Sequence, residues 1–81
     1  MLFQVIIPDK IKKIILKLSH ENRKRIKEKL LCLEINPELG KHLSGLPYWS
    51  LRIGKYRIIY QIEKNKLLIL VVSFGHRKGI Y

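Results

Sequence analysis

The sequence predicts an α+β domain in two layers, an N-terminal strand and an α-helical hairpin packed on a mainly antiparallel sheet, in the order β-α-α-β-β-β. Three observations carry this. Apolar residues of the first half recur at helical spacing, and those of the second half alternate with a period of two. Between the halves, residues 36–47 collect the turn formers Asn36, Pro37, Gly40, Ser44, Gly45 and Pro47. Helices followed by a run of strands place the helices together on one face of a sheet. With 81 residues, the chain is expected to form one domain, 1–81, with a single core and no room for a cofactor domain.

Residues 1–7, apolar except for Gln4, read as a strand that must join the sheet to satisfy its backbone groups. Pro8 breaks the pattern and suits the first position of a helix, where a missing N–H costs nothing. Ile11, Ile14, Ile15 and Leu18 then share a helical stripe, with Lys10, Lys12, Lys13 and Lys17 on the other faces, so residues 10–18 form an amphipathic helix. Ser19 is a good N-cap for a second helix, and Glu21 complements the dipole of its first turn. Ile26, Leu30 and Leu33 make the second stripe, flanked by Leu31 and Cys32, and Asn36-Pro37 ends it. So short a junction favours an antiparallel hairpin.

The second half is expected to be a meander. Residues 49–53 lead to Gly54-Lys55, a two-residue turn with glycine where a type II′ hairpin needs it. Along 56–62, Tyr56, Ile58, Tyr60 and Ile62 fall on one face and Arg57, Ile59 and Gln61 on the other. A turn around Lys64-Asn65 leads into residues 67–74, whose unbroken hydrophobicity marks a central strand covered on both faces.

Charge narrows the function. Lys plus Arg number 17 against 6 Asp plus Glu, a net charge of +11. Such a domain attracts polyanions: nucleic acid, an anionic membrane surface or an acidic protein. A plain solvated lysine face is the alternative. Cys32 is the single cysteine, which leaves no internal disulfide, fits a reducing compartment and points to burial as a small hydrophobe. The N-terminal stretch lacks a basic leader, and no apolar run approaches the ~18 residues of a span. A cytoplasmic protein with no membrane association is therefore expected. There is no phosphate-binding glycine loop, no HExxH and no paired-cysteine spacing. Five of the six carboxylates lie in or beside the helical hairpin and Glu63 at a turn, so neither a metal site, a cofactor nor a carboxylate acid–base pair is expected.

Cations and aromatics concentrate in the C-terminal half: Tyr48, Trp49, Arg52, Lys55, Tyr56, Arg57, His76, Arg77, Lys78 and Tyr81. Arg57 stands on the strand face away from the apolar series, and Arg77 follows the end of the central strand. Two converging guanidiniums would clamp a phosphate, since each presents a planar fork of donors. For each arginine the bland alternative is a solvated side chain snorkelling over apolar neighbours. Trp49 is either a core anchor or a platform for a base.

The stretch Gly54-Lys55-Tyr56-Arg57-Ile58-Ile59-Tyr60-Gln61-Ile62 resembles the GxYRxxYxx strand of the RelE family of the RelE/ParE toxin superfamily. Ser73-Phe74-Gly75-His76-Arg77-Lys78-Gly79-Ile80-Tyr81 is similar to the family's xxGHRxxxY ending, and the helix pair and Leu51-Arg52 also fit. The resemblance implies the toxin of a type II toxin–antitoxin system, a ribosome-dependent endoribonuclease that needs no metal. In that family the RNA 2′-hydroxyl attacks the adjacent phosphate and leaves a cyclic phosphate. By resemblance, Arg57 and Arg77 match the catalytic arginines and Tyr81 the C-terminal tyrosine proposed to transfer a proton. His76 neighbours them and is a good generic proton shuttle. Arg52, Lys55, Lys78 and Trp49 would bind RNA. Ser50 and Tyr48 stand where some members have lysines. Implied partners are the ribosome, mRNA and an acidic RelB-like antitoxin. Two other functions fit the residues: a ParE-like inhibitor of DNA gyrase, and a catalytically silent RNA-binding or partner-binding module.

Overall fold

The computed structural model describes residues 2–76. Strand β1 (Gln4–Ile6) is followed by helices α1 (Asp9–Leu16) and α2 (His20–Ile35). After a 3-10 turn at Pro37–Leu39 come strands β2 (Lys41–His42), β3 (Trp49–Ile53), β4 (Tyr56–Glu63) and β5 (Leu68–His76). The five strands form one sheet in the order β1-β5-β4-β3-β2. Only the β1–β5 pair is parallel. The expected α+β architecture holds, with one strand more than the sequence signalled: β2 is two residues long and lies inside a turn-rich loop.

Local chemistry sets the helix ends. Pro8 sits at the N-cap of α1, one residue before the expected position, and its carbonyl accepts from the N–H groups of Ile11 and Lys12 (both 3.0 Å). The Ser19 hydroxyl accepts from the Asn22 N–H at 3.2 Å and caps α2 as expected. Arg23 donates to the Leu16 carbonyl, closing the end of α1 with a cation.

One face of the sheet carries the core. Leu51, Ile53, Tyr56, Ile58, Tyr60 and Ile69 pack against Ile26 and Leu33 of α2, with Phe3, Val5, Ile15 and Leu18 around them. Two expectations need correction. Cys32 is exposed rather than buried. A rotation of about 100° per residue turns Leu31, Cys32 and Ile35 away from the stripe of Ile26, Leu30 and Leu33. Strand β5 is central, between β1 and β4, but it is not covered on both faces. Among the described residues the helices pack on one face only, so Leu68 and Leu70 stay half-buried and Val72 is 45% exposed.

Val72 also marks a β-bulge. Ile59 pairs with Ser73 while Tyr60 pairs with Val71, which leaves Val72 without an opposite number. The bulge shifts the phase of β5. Ile69 and Val71 face the core, then Phe74 and His76 do; Ser73 and Gly75 are turned to the other face. Phe74 consequently stacks on Tyr56 at 5.3 Å.

Candidate functional site

Gly54 makes the tight turn that positions the site. Its φ of 59° is in the left-handed region, and Leu67 is the only non-glycine residue among those described with positive φ, so Lys55 has none. Positive φ at the first turn residue alone is the type II′ pattern. Ile53 and Tyr56 close that turn, and the next pair outward is Arg52 opposite Arg57. In a ladder that alternates from a closed turn, this is a non-hydrogen-bonded pair, where side chains come nearest. Both project from the face that the helices leave open. Arg52 is exposed and Arg57 half-buried. On the other flank of Arg57 the bulge has placed Gly75, which adds no side chain to that face.

The loop after α2 walls the other side. Leu39, Gly40, Lys41, Leu43 and Ser50, together with Arg52 and Arg57, line an open cleft of about 590 Å³. Three cations thus reach one concave surface. Tyr60, fully buried, holds that wall in place. Its hydroxyl donates to the Pro37 carbonyl at 2.7 Å and accepts from the Gly40 N–H at 3.0 Å. Burial raises the Tyr60 pKa above its usual value; the Gly40 N–H lowers it and the Glu38 charge raises it further. The phenol therefore stays neutral and able to donate. Gly40 is required by proximity, since a Cβ there would lie 2.6 Å from the Ser50 carbonyl oxygen and 2.8 Å from the Tyr60 hydroxyl.

The residues singled out from sequence do not all meet. Arg52 and Arg57 do. Lys55, in the turn, places its ammonium 5.8 Å from the Tyr56 ring centroid. His76 pairs with Tyr56, with ring centroids 5.1 Å apart, and so lies on the face of the sheet opposite Arg57. Trp49 shares that core face, 6.4 Å from Tyr60 and 5.0 Å from His42. Arg77, Lys78 and Tyr81 lie outside the described residues. Sequence reading missed Lys41, Gly40 and the bracing role of Tyr60. Gly40 inside a turn-rich segment was a signal of a close approach, but its partner, twenty residues away, was not readable. Among the described residues, no three His, Cys, Asp or Glu side chains group as metal ligands would, and no helix is long and apolar enough to cross a membrane.

A family model for the ParE toxin of type II toxin–antitoxin systems, parDE, matches residues 8–81. Comparison with curated proteins finds no match. Among solved structures, the isolated RelE toxin of E. coli is similar at 26% identity and a TM-score of 0.78, over 91% of this chain and 83% of that one. The toxin–antitoxin complex RelBE of E. coli is matched at 28% identity and 0.77, over 91% and 95%. The archaeal RelE–RelB complex of Pyrococcus horikoshii is matched at 25% identity and 0.84, over the whole of both chains. With the family model spanning all but the first seven residues and solved RelE structures matching the fold, this chain belongs to the RelE/ParE superfamily as a RelE-family toxin of a type II toxin–antitoxin system.

Proposed function

We propose that the toxin is a metal-independent endoribonuclease that cuts messenger RNA on the ribosome, in the cytoplasm, and so stops translation. The observation that carries this reading is the Arg52–Arg57 pair on the open face of the sheet, beside Lys41 in a cleft. Like charges directly opposite each other destabilise a sheet. A phosphate between them turns that repulsion into two charge-assisted attractions.

In the proposed reaction the 2′-oxygen forms a bond to the adjacent phosphorus and loses its proton to a base. The bond from phosphorus to the 5′-oxygen breaks, and that oxygen takes up a proton. The products are a 2′,3′-cyclic phosphate and a 5′-hydroxyl. Arg57 stabilises charge growing on the non-bridging oxygens, and losing one such fixed donor costs about 10²–10³ in rate. Arg52 and Lys41 hold the neighbouring backbone. Arg77 would be the second catalytic arginine and Tyr81 a proton-transfer group, with Lys78 and Lys55 gripping RNA. Trp49 and His76, on the core face, would act at the margins of the bound strand rather than at the phosphate Arg57 holds.

The natural partner is an antitoxin, since two of the similar solved structures are toxin–antitoxin complexes. For a chain of +11 it would be an acidic, RelB-like segment that folds on contact. The ParE description of the family model favours a second reading, inhibition of DNA gyrase by binding. Programmed ribosomes separate the two. Mapped mRNA ends should show new cuts with the wild type and none with Arg57→Ala. Intact mRNA together with blocked gyrase supercoiling would establish the second reading instead.

A further inference from the structure

Strand β3 starts at Trp49, opposite Tyr60, whereas β4 continues to Glu63. Gln61, Ile62 and Glu63 therefore have β5 on one side and a notch on the other. The notch encloses about 360 Å³, in the range of small-ligand sites, and is lined by His42, Pro47, Trp49, Gln61, Glu63 and Asn65 among others. By the alternation of the ladder, the N–H and C=O of Ile62 point into it. His42, exposed, lies against Trp49 at 5.0 Å and extends its aromatic wall.

The polar groups have a definite sense. The Gln61 carboxamide donates an N–H to Glu63 at 3.5 Å, which leaves the Gln61 carbonyl oxygen and the second Glu63 oxygen as acceptors. Glu38, at the rim, is engaged by Lys64 at 3.6 Å. Trp49 stands on the core face and Gln61 and Glu63 on the open face, so a flat ring entering the notch from the sheet edge would meet the indole at one end and turn N–H donors on its other edge toward the acceptors. Gln61 and Glu63 stand on the same strand face as Arg57, and four residues of strand separate Gln61 from Arg57 by about 13 Å. A single strand held by its phosphate at the arginine pair would carry a base a short way along the chain to this notch.

We propose that the notch is a base-reading subsite that selects nucleobases bearing an exocyclic amino group over uracil, an assignment that rests on the reading of the open face as the RNA-binding surface. Carboxylate and carboxamide acceptors recognise amino groups, and aromatic side chains supply sequence-tolerant stacking. Uracil lacks that amino group: its edge offers one N3–H flanked by two carbonyls, which face the remaining acceptors unfavourably.

Trp49 is the single tryptophan and reports on the notch directly. The full chain is titrated with single-stranded oligoadenylate, oligocytidylate and oligouridylate of equal length at fixed salt, following Trp49 fluorescence. Adenylate and cytidylate should quench Trp49 and bind roughly five- to tenfold tighter than uridylate. Glu63→Gln should collapse that preference with an unchanged salt slope. Arg57→Ala should weaken all three oligomers alike and keep the preference. Equal binding of the three, a silent Trp49, or a preference that survives Glu63→Gln overturns the proposal. If the preference holds while ribosome-bound mRNA stays intact, the subsite stands and the nuclease reading fails.

Discussion

Replacing Arg52 by glutamine should make the toxin more stable and less active at once. Glutamine keeps much of the side-chain stem but removes the charge facing Arg57. Relief of a directly opposed like-charge pair is worth about 0.2–1 kcal/mol. In a domain of this size that is a rise of roughly 1–8 °C in Tm. Because the repulsion is electrostatic, the gain should shrink as salt shortens the screening length from about 10 Å at 0.1 M to about 3 Å at 1 M. RNA should respond in the opposite sense. A hydrogen bond from a guanidinium to a phosphate is worth about 1.5–3 kcal/mol, or roughly 10- to 100-fold in affinity. Calorimetry at two salt concentrations and RNA titration of the same samples measure both. Lys13→Gln, on the exposed face of α1, removes the same charge from elsewhere and should move neither quantity comparably. A lower Tm in Arg52→Gln, or RNA affinity that survives the substitution, would refute the opposed, phosphate-binding arginine pair.

Other consequences follow from the same geometry. Arg57→Ala should slow mRNA cleavage by about 10²–10³ with a small change in Tm, read by single-turnover cleavage and calorimetry. Tyr60→Phe removes the acceptor of the Gly40 N–H and the donor to the Pro37 carbonyl, and should cost about 1–3 kcal/mol in urea denaturation. The same residue sets an alkaline limb. Its folded pKa is raised above the unfolded value of about 10, so its contribution is fully present below pH 10 and is lost as pH climbs through the folded value. That limb should be shallower in Tyr60→Phe than in the wild type. Gly40→Ala drives a Cβ toward the Ser50 carbonyl and should open the cleft wall, seen as faster amide exchange of residues 38–43.

The fold was readable wherever side-chain pattern alone determines it. The period-two run from Tyr56 to Ile62 gave β4 its faces, and Ser19 gave α2 its start. Strand β5 was different. In Leu67-Leu68-Ile69-Leu70-Val71-Val72 either phase offers apolar residues, so the pattern could not reveal the bulge at Val72. That bulge decides that His76 joins Tyr56 and that Gly75 joins Arg57. Reading His76 beside Arg57 assumed closeness in sequence to be closeness in space, and one extra residue in a strand undid it. Strand β2 escaped notice because two residues carry no period. Lys41 and the Tyr60–Gly40 contact depend on a long-range approach between loop and sheet, which no local pattern encodes. Arg52 was legible through the hairpin: once Gly54-Lys55 was a two-residue turn, the residues two before and two after it had to face each other.

Attack by the message's own 2′-hydroxyl, assisted by Arg57, is decided on the ribosome with a message that carries a single 2′-deoxynucleotide at the mapped cleavage site. The all-ribose message should be cut there, leaving a 2′,3′-cyclic phosphate, by the wild type and not by Arg57→Ala; the deoxy-substituted message should survive both proteins at that site. Equal cutting of the two messages, or cutting undiminished by Arg57→Ala, would contradict it.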